Sequence, residues 1–192
     1  MCICRWITTI TNRVELVILQ HPLEVNNAKN TAGLLHLSLA NSQLHIGENF
    51  APEQLDKLLA RDGKTNLLLY PPTPEAESMG IAKPPALPDL TRLEPEQLRL
   101  WVIDGTWRKS RKMLYLNTHL QQLPRVSLAD CPPSAYRIRK AQGEDQLSTL
   151  EASCYALQHL EASRVDYQPL LDAFDGFIAQ QMAFLPNHPN LR

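Results

Sequence analysis

The chain has 192 residues, 44% of them hydrophobic, and its 19 Lys+Arg against 20 Asp+Glu leave a formal net charge of −1. That is enough chain to bury one substantial core, and it fits a single domain over 1–192. A globally basic nucleic-acid binder is excluded, so any site for a polyanion has to be a local patch. No apolar run approaches the roughly 18 residues of a membrane span, and the start lacks the apolar stretch of a signal peptide, which makes the cytoplasm the expected compartment.

In chain order, Cys2 and Cys4 form a C-x-C pair at the very start, far from Cys131 and Cys154. This is no spaced disulfide framework, so reduced thiols are expected. Two thiolates supply half of a tetrahedral zinc site, so zinc is not expected in this chain. Residues 13–20 are short, apolar and rich in β-formers, and His21-Pro22 stops them, as for a buried parallel strand. A helix capped by Asn26 or Asn27 should run to Ala40, on the spacing of Ala28, Thr31, Ala32, Leu35 and Leu39. Residues 42–47 read as a strand and 51–60 as a helix with proline in its first turn. Residues 66–70 read as another buried strand, ended by Pro71-Pro72.

The stretch 71–95 is dense in proline and should be irregular. Residues 98–103 resume the strand pattern and deliver Asp104-Gly105-Thr106-Trp107 at the carboxyl end. A basic amphipathic helix follows over 108–122, with Met113, Leu116 and Leu120 toward the core, and 125–128 reads as a short strand. After the turn at 131–134 come Tyr136-Arg137-Ile138-Arg139-Lys140, a helix from near Leu147, a helix over 167–185 and a frayed tail at 186–192. Strands alternating with helices predict an α/β architecture on a parallel sheet, with the ligand outside the carboxyl ends of the strands.

Three loops therefore become candidate sites: after Tyr70, at Asp104 to Trp107, and before Leu147. A carboxylate directly after an apolar strand is partly desolvated and suited to proton transfer. Gly105 permits a close approach, Thr106 adds a hydroxyl, and Trp107 adds a face for stacking. The same four residues also read as a turn in which Asp104 caps the next helix and Trp107 is core. The run Arg108-Lys109-Ser110-Arg111-Lys112 puts four cations in five residues, either an RNA-backbone site or a solvated helix face. Arg137, Arg139 and Lys140 form a second basic cluster. His21 at a strand end is either a phosphate contact or structural. Glu144 and Asp145 favour the positive end of the helix after them. No Walker loop, dinucleotide-binding glycine fingerprint or His-Glu-x-x-His motif is present in the sequence, which disfavours ATP hydrolysis, nicotinamide chemistry and zinc proteolysis.

Asp104-Gly105-Thr106-Trp107, followed by a helix with Arg108, Lys109 and Lys112, resembles the DTW-domain family, named for an Asp-x-Thr-Trp motif. So do His21-Pro22-x-Glu24 with Asn30-Thr31-Ala32, the Leu69-Tyr70-Pro71 strand end, and Tyr136 to Lys140 leading to Leu147-Ser148-Thr149-Leu150-Glu151-Ala152. The blocks stand in order over about 14–160. The resemblance implies a tRNA-uridine aminocarboxypropyltransferase, which places the 3-amino-3-carboxypropyl group of S-adenosylmethionine on N3 of a uridine in tRNA. It also implies a SPOUT-like fold whose C-terminal trefoil knot binds the donor. On that resemblance Asp104 is the catalytic residue, as base or as clamp on the donor's amino group. Leu69, Tyr70, Pro71, Thr106, Trp107, Leu147, Ser148 and Thr149 hold the donor; His21, Lys29, Arg108, Lys109, Lys112, Arg137 and Arg139 hold the RNA. The family's usual cysteine cluster is reduced here to Cys2-x-Cys4, so residues 1–12 read as its remnant. An RNA methyltransferase of the same class, a non-catalytic RNA-binding protein and a metabolic enzyme for a small anion are the rival readings. The active form is a monomer or a homodimer.

Overall fold

The computed structural model describes residues 3–26, 31–71, 80–128 and 147–184. Strands β1 (Glu15–Gln20), β2 (Ser42–Ile46), β3 (Thr65–Leu69), β4 (Leu98–Asp104) and β5 (Arg125–Val126) form one sheet in the order β2-β1-β4-β3-β5. Every ladder in it is parallel. Among the described residues the α-helices are α1 (Thr31–Ser38), α2 (Pro52–Ala60), α3 (Trp107–Leu116), α4 (Thr118–Gln121), α5 (Thr149–Leu160) and α6 (Gln168–Phe184).

All of β1 is buried because both faces of the sheet are covered, which explains its continuous apolar run. Leu16 and Ile18 join Leu100 and Val102 of β4 against Leu34 and Leu35 of α1, Leu150 and Cys154 of α5, and Phe174 and Phe177 of α6. Val17 and Leu19 point the other way, with Trp101 and Leu68, onto Leu55 of α2, Met113 and Leu114 of α3, and Leu120 of α4. The result is a three-layer α/β sandwich. Among the described residues, no helix is long and apolar enough to cross a membrane.

At the amino ends of the strands, the buried Glu15 accepts from Arg99 Nε at 2.9 Å and is paired with Lys64 at 3.1 Å and with Arg61. Burial pushes the Glu15 carboxyl up, but the hydrogen bonds from Arg99 and Lys64 outweigh it and hold it at about 2. On the helical side, Glu161 Oε1 accepts from the backbone N–H groups of Arg13 and Val14 at 2.7 and 2.8 Å. Those two donors therefore leave the sheet ladder, and β1 starts at Glu15 rather than at residue 13. Trp6 lies on Gly176 of α6, where an added Cβ would come within 2.1 Å of the indole.

The expected elements are present, with three differences. The single helix expected over 108–122 is broken at Asn117, whose Oδ1 accepts from Phe50 N at 2.9 Å and whose Nδ2 donates to Glu48 O at 2.9 Å. This side chain meets backbone groups of the 48–50 turn that would otherwise be unmatched, and the break between α3 and α4 follows. The strand expected over 125–128 pairs only at Arg125 and Val126. The helix expected from an Asn26 or Asn27 cap is seen as α1 from Thr31; residues 27–30 lie outside the described residues, as do 129–146 with the second basic cluster.

Candidate active site

Because β4 lies between β1 and β3, the carboxyl ends of three neighbouring strands converge, carrying His21, Asp104 and Tyr70. This crevice is where an open parallel sheet binds ligands. The last rung of the β1–β4 ladder is His21 N donating to Asp104 O at 2.9 Å. Gly105 then turns the chain into α3 in a confined space: a Cβ there would lie 3.2 Å from Lys109 Cβ and 3.6 Å from His21 Cβ. A methyl there would press on Lys109 by a few tenths of an ångström while only touching His21, so glycine lets the His21 loop and α3 pack closely.

Asp104 is 7% exposed. Its Oδ2 accepts from Gln20 Nε2 at 2.9 Å, and its Oδ1 accepts from Thr149 Oγ1 at 2.6 Å. A strand-end neighbour and the first residue of α5 thus fix the carboxylate from two sides. The cap-and-core alternative does not describe it: Thr106, not Asp104, is the cap residue of α3, and Trp107 is 57% exposed. The Thr106 hydroxyl makes no capping bond. Ser148 caps α5, its Oγ accepting from Glu151 N at 3.2 Å while Glu151 Oε2 accepts from Ser148 N at 2.9 Å. That capping box sets Thr149 at the helix start, facing Asp104.

The Trp107 ring stacks on Tyr70 with centroids 5.5 Å apart and planes 12° off parallel. The Arg125 guanidinium lies over the Tyr70 ring, 5.3 Å from its centroid. Burial raises the Tyr70 hydroxyl pKa, while the Ser110 hydroxyl and the charges of Arg125 and Arg111 pull it the other way. Leu69 and Leu147 are partly buried against the same core cluster, and Pro71, after the end of β3, is exposed.

The remaining expected site residues are distributed unevenly. The buried His21 accepts from Leu23 N at its Nδ1 (3.1 Å), so its ring proton belongs at Nε2, 3.0 Å from Glu48 Oε1. Lys109 pairs with Glu24 at 2.7 Å and Lys112 with Glu48 at 3.0 Å. Lys112 and His21 hold the Glu48 carboxyl below its ordinary range. Arg108 is exposed, with no ion-pair partner among the described residues. Lys29, Arg137, Arg139 and Cys2 lie outside the described residues, and Cys4 is exposed. Among the described residues, no group of three or more His, Cys, Asp or Glu could hold a metal ion. Sequence reasoning missed Gln20, Glu48, Arg111 and Arg125, which it had read only as strand, loop or generic charge. The strand-end position of Gln20 beside His21 was the one available signal.

A fixed carboxylate beside an outward aromatic face can hold a cationic group next to a flat ring. A family model described as the DTW domain matches residues 1–182. The chain is 27% identical over 188 residues to a tRNA-uridine aminocarboxypropyltransferase 2 of Macaca fascicularis, covering 95% of this chain and 60% of that protein. It is 29% identical over 190 residues to the Mus musculus protein of the same name, with 95% and 60% covered. It is 32% identical over 155 residues to that of Drosophila melanogaster, with 77% and 57% covered. The chain thus spans about 60% of the length of these curated relatives. No solved structure matches it. With the Asp-x-Thr-Trp segment at the centre of the crevice and the family model running over residues 1–182, the chain belongs to the DTW-domain family.

Proposed function

We propose that the chain is a tRNA-uridine aminocarboxypropyltransferase, moving the 3-amino-3-carboxypropyl group of S-adenosylmethionine to N3 of a uridine in tRNA and releasing 5′-methylthioadenosine. The observation that carries this reading is Asp104, a buried carboxylate locked by Gln20 and Thr149 at the strand end that leads into the exposed Trp107. The names of the relatives supply the reaction type. The residues present fit the donor, since a fixed carboxylate suits its ammonium and an exposed aromatic face suits its adenine or its sulfonium.

The sulfonium supplies a good leaving group, so the work left to the protein is alignment. Asp104, with a hydrogen bond already accepted at each oxygen, acts as a fixed anion that holds the donor's α-ammonium and presents its methylene, not its methyl, to the uridine. Thr106 and Trp107 wall the donor, with Leu69, Tyr70 and Pro71 on one side and Leu147, Ser148 and Thr149 on the other. The N3–carbon bond forms as the carbon–sulfur bond breaks, the electron pair stays on sulfur as a neutral thioether, and the N3 proton passes to water. Arg108 holds the RNA, and Lys29, Arg137 and Arg139 belong to the same reading, while Lys109, Lys112 and His21, through Glu24 and Glu48, hold the loops of the crevice wall in place. Its finer form is a SPOUT-like fold with a C-terminal trefoil knot, acting in the cytoplasm.

The test is to incubate the protein with unmodified tRNA and S-adenosylmethionine and identify the small product by mass spectrometry. 5′-Methylthioadenosine is expected, and Asp104→Ala should abolish it. S-adenosylhomocysteine alone would replace this reading with methyl transfer, and no product of either kind would refute it.

A further inference from the structure

Arg111 is a charged side chain of α3 that neither the lysine pairs nor the donor site uses, and unlike the exposed Arg108 it is partly buried. Its Nε and Nη2 are buried and have no hydrogen-bond partner among the described residues. These two N–H groups form one edge of the guanidinium, the edge that grips an oxyanion with two parallel hydrogen bonds. Leaving such donors unmet is costly, and they are closed off from solvent where they stand, so the guanidinium gains by swinging out to meet an anion that arrives with a substrate.

Its surroundings indicate which anion. Trp107, Arg111 and Tyr115 lie at i, i+4 and i+8 and therefore share one face of α3. Trp107 is 57% and Tyr115 54% exposed. At about 1.5 Å of rise per residue, the two rings stand about 12 Å apart along the helix, with the arginine midway. Gly80, at φ +87°, brings the chain against one edge of Tyr115, where even a Cβ would lie 3.2 Å from the ring. Arg108 is exposed one position along from Trp107, and Arg125 stands over Tyr70 on the far side of the stack. The exposed ring of Tyr115 beside the guanidinium groups of α3 matches the chemistry of an unpaired polynucleotide, with a base on that ring and phosphate on the fork, while the free face of Trp107 stays with the donor.

Resting on the reading of the substrate as an RNA, we infer that the face of α3 running from Arg111 to Tyr115, next to the donor site walled by Trp107, is the docking track for an unpaired stretch of that RNA, with a phosphodiester on the Arg111 fork and a base stacked on Tyr115. The occupant is the RNA strand rather than the small donor, because the track continues past Arg111 along the helix to Tyr115, two turns from Trp107.

The test measures tRNA affinity by fluorescence anisotropy over a range of salt concentrations for the full chain, Tyr115→Ala and Arg111→Gln, with S-adenosylmethionine affinity measured by calorimetry on the same proteins. Tyr115→Ala should weaken tRNA binding by about 5-fold or more, the scale of one lost base–aromatic stack. Arg111→Gln should weaken it and reduce the slope of log affinity against log salt by about 0.7–0.9, the scale of one lost phosphate contact. Donor affinity should be unchanged in both. Unchanged tRNA affinity and slope in both variants would overturn the inference. So would a loss of donor affinity in Arg111→Gln at unchanged slope, which would make the fork a clamp for the donor's carboxylate. If Arg111→Gln does not fold, Arg111→Lys keeps the charge and loses the fork: the slope should then be kept and the affinity reduced, and full affinity would count against the inference. The small-product assay judges the transfer reaction separately. Product formed without any dependence of RNA binding on these residues sinks the track alone, while an Arg111-dependent slope without product sinks the transfer alone.

Discussion

Thr149→Val isolates the bond that ties α5 to the centre of the site. The substitution keeps a β-branched side chain at the first position of the helix and removes a single hydroxyl. What disappears is the 2.6 Å hydrogen bond to Asp104 Oδ1. A hydrogen bond to a charged group contributes roughly 1.5–3 kcal/mol net. Because Thr149 is only partly buried, water can recover some of it, which puts the cost near the lower end, about 1.5 kcal/mol. At roughly 2–4 °C per kcal/mol for a domain of this size, Tm should fall by about 3–6 °C. The decisive measurement repeats the substitution in an Asp104→Ala background, where the acceptor is already gone. There the cost of Thr149→Val should nearly vanish, giving a coupling of about 1.5 kcal/mol between the two positions. Urea unfolding of the four proteins, followed by circular dichroism, supplies all the terms. A cost that persists undiminished in the Asp104→Ala background would refute the claim that Thr149 acts through Asp104.

Glu15, held at about 2 against an ordinary 4.5, contributes stability that is complete above pH 4.5 and is lost as pH falls toward 2, on the order of 3 kcal/mol. Thermal melts across that range should show a steeper acid loss for the natural chain than for Glu15→Gln, and equal slopes would contradict the assignment. Burial pushes the Cys154 thiol far up, so iodoacetamide should leave it unmodified in the native protein and label it only after unfolding, as read by peptide mass mapping. Gly176→Ala would place a methyl 2.1 Å from the Trp6 ring, so we expect a loss of about 1–3 kcal/mol in urea unfolding; a neutral outcome would mean that the amino-terminal segment is not seated on α6.

The strands were legible because each face of this sheet is covered, so apolar runs such as 15–20 and 98–103 carry the pattern without needing alternation. The capping box at Ser148 and Glu151 is a local signal, its partners three residues apart, yet the sequence reading places only a helix start near Leu147 with Glu144 and Asp145 before it. The break at Asn117 was not legible: the residue interrupts a helical pattern only because backbone groups of the 48–50 turn are brought against it by the fold. Asp104 itself stood out as a strand-end acid, but its state depends on Gln20, 84 positions earlier, and Thr149, 45 positions later. Long-range partners of that kind leave no trace in local periodicity.

The charge run on α3 shows how far composition can mislead about a binding face. Four cations in five residues read as one basic surface, yet the helix divides them. Lys109 and Lys112, at i and i+3, turn toward the loops that carry Glu24 and Glu48, and by pairing with them they fasten the His21 loop and the 48–50 turn beside Asp104. These pairs are partly screened by solvent, and their work is to set the spacing of the crevice wall rather than to attract a polyanion. Trp107, Arg111 and Tyr115 take a different face of the same helix, where no carboxylate meets them among the described residues. Charge counting would remove the lysines first to look for weaker RNA binding. The geometry places the effect of those substitutions on the loops and on the position of Asp104, and reserves the salt dependence for the arginines.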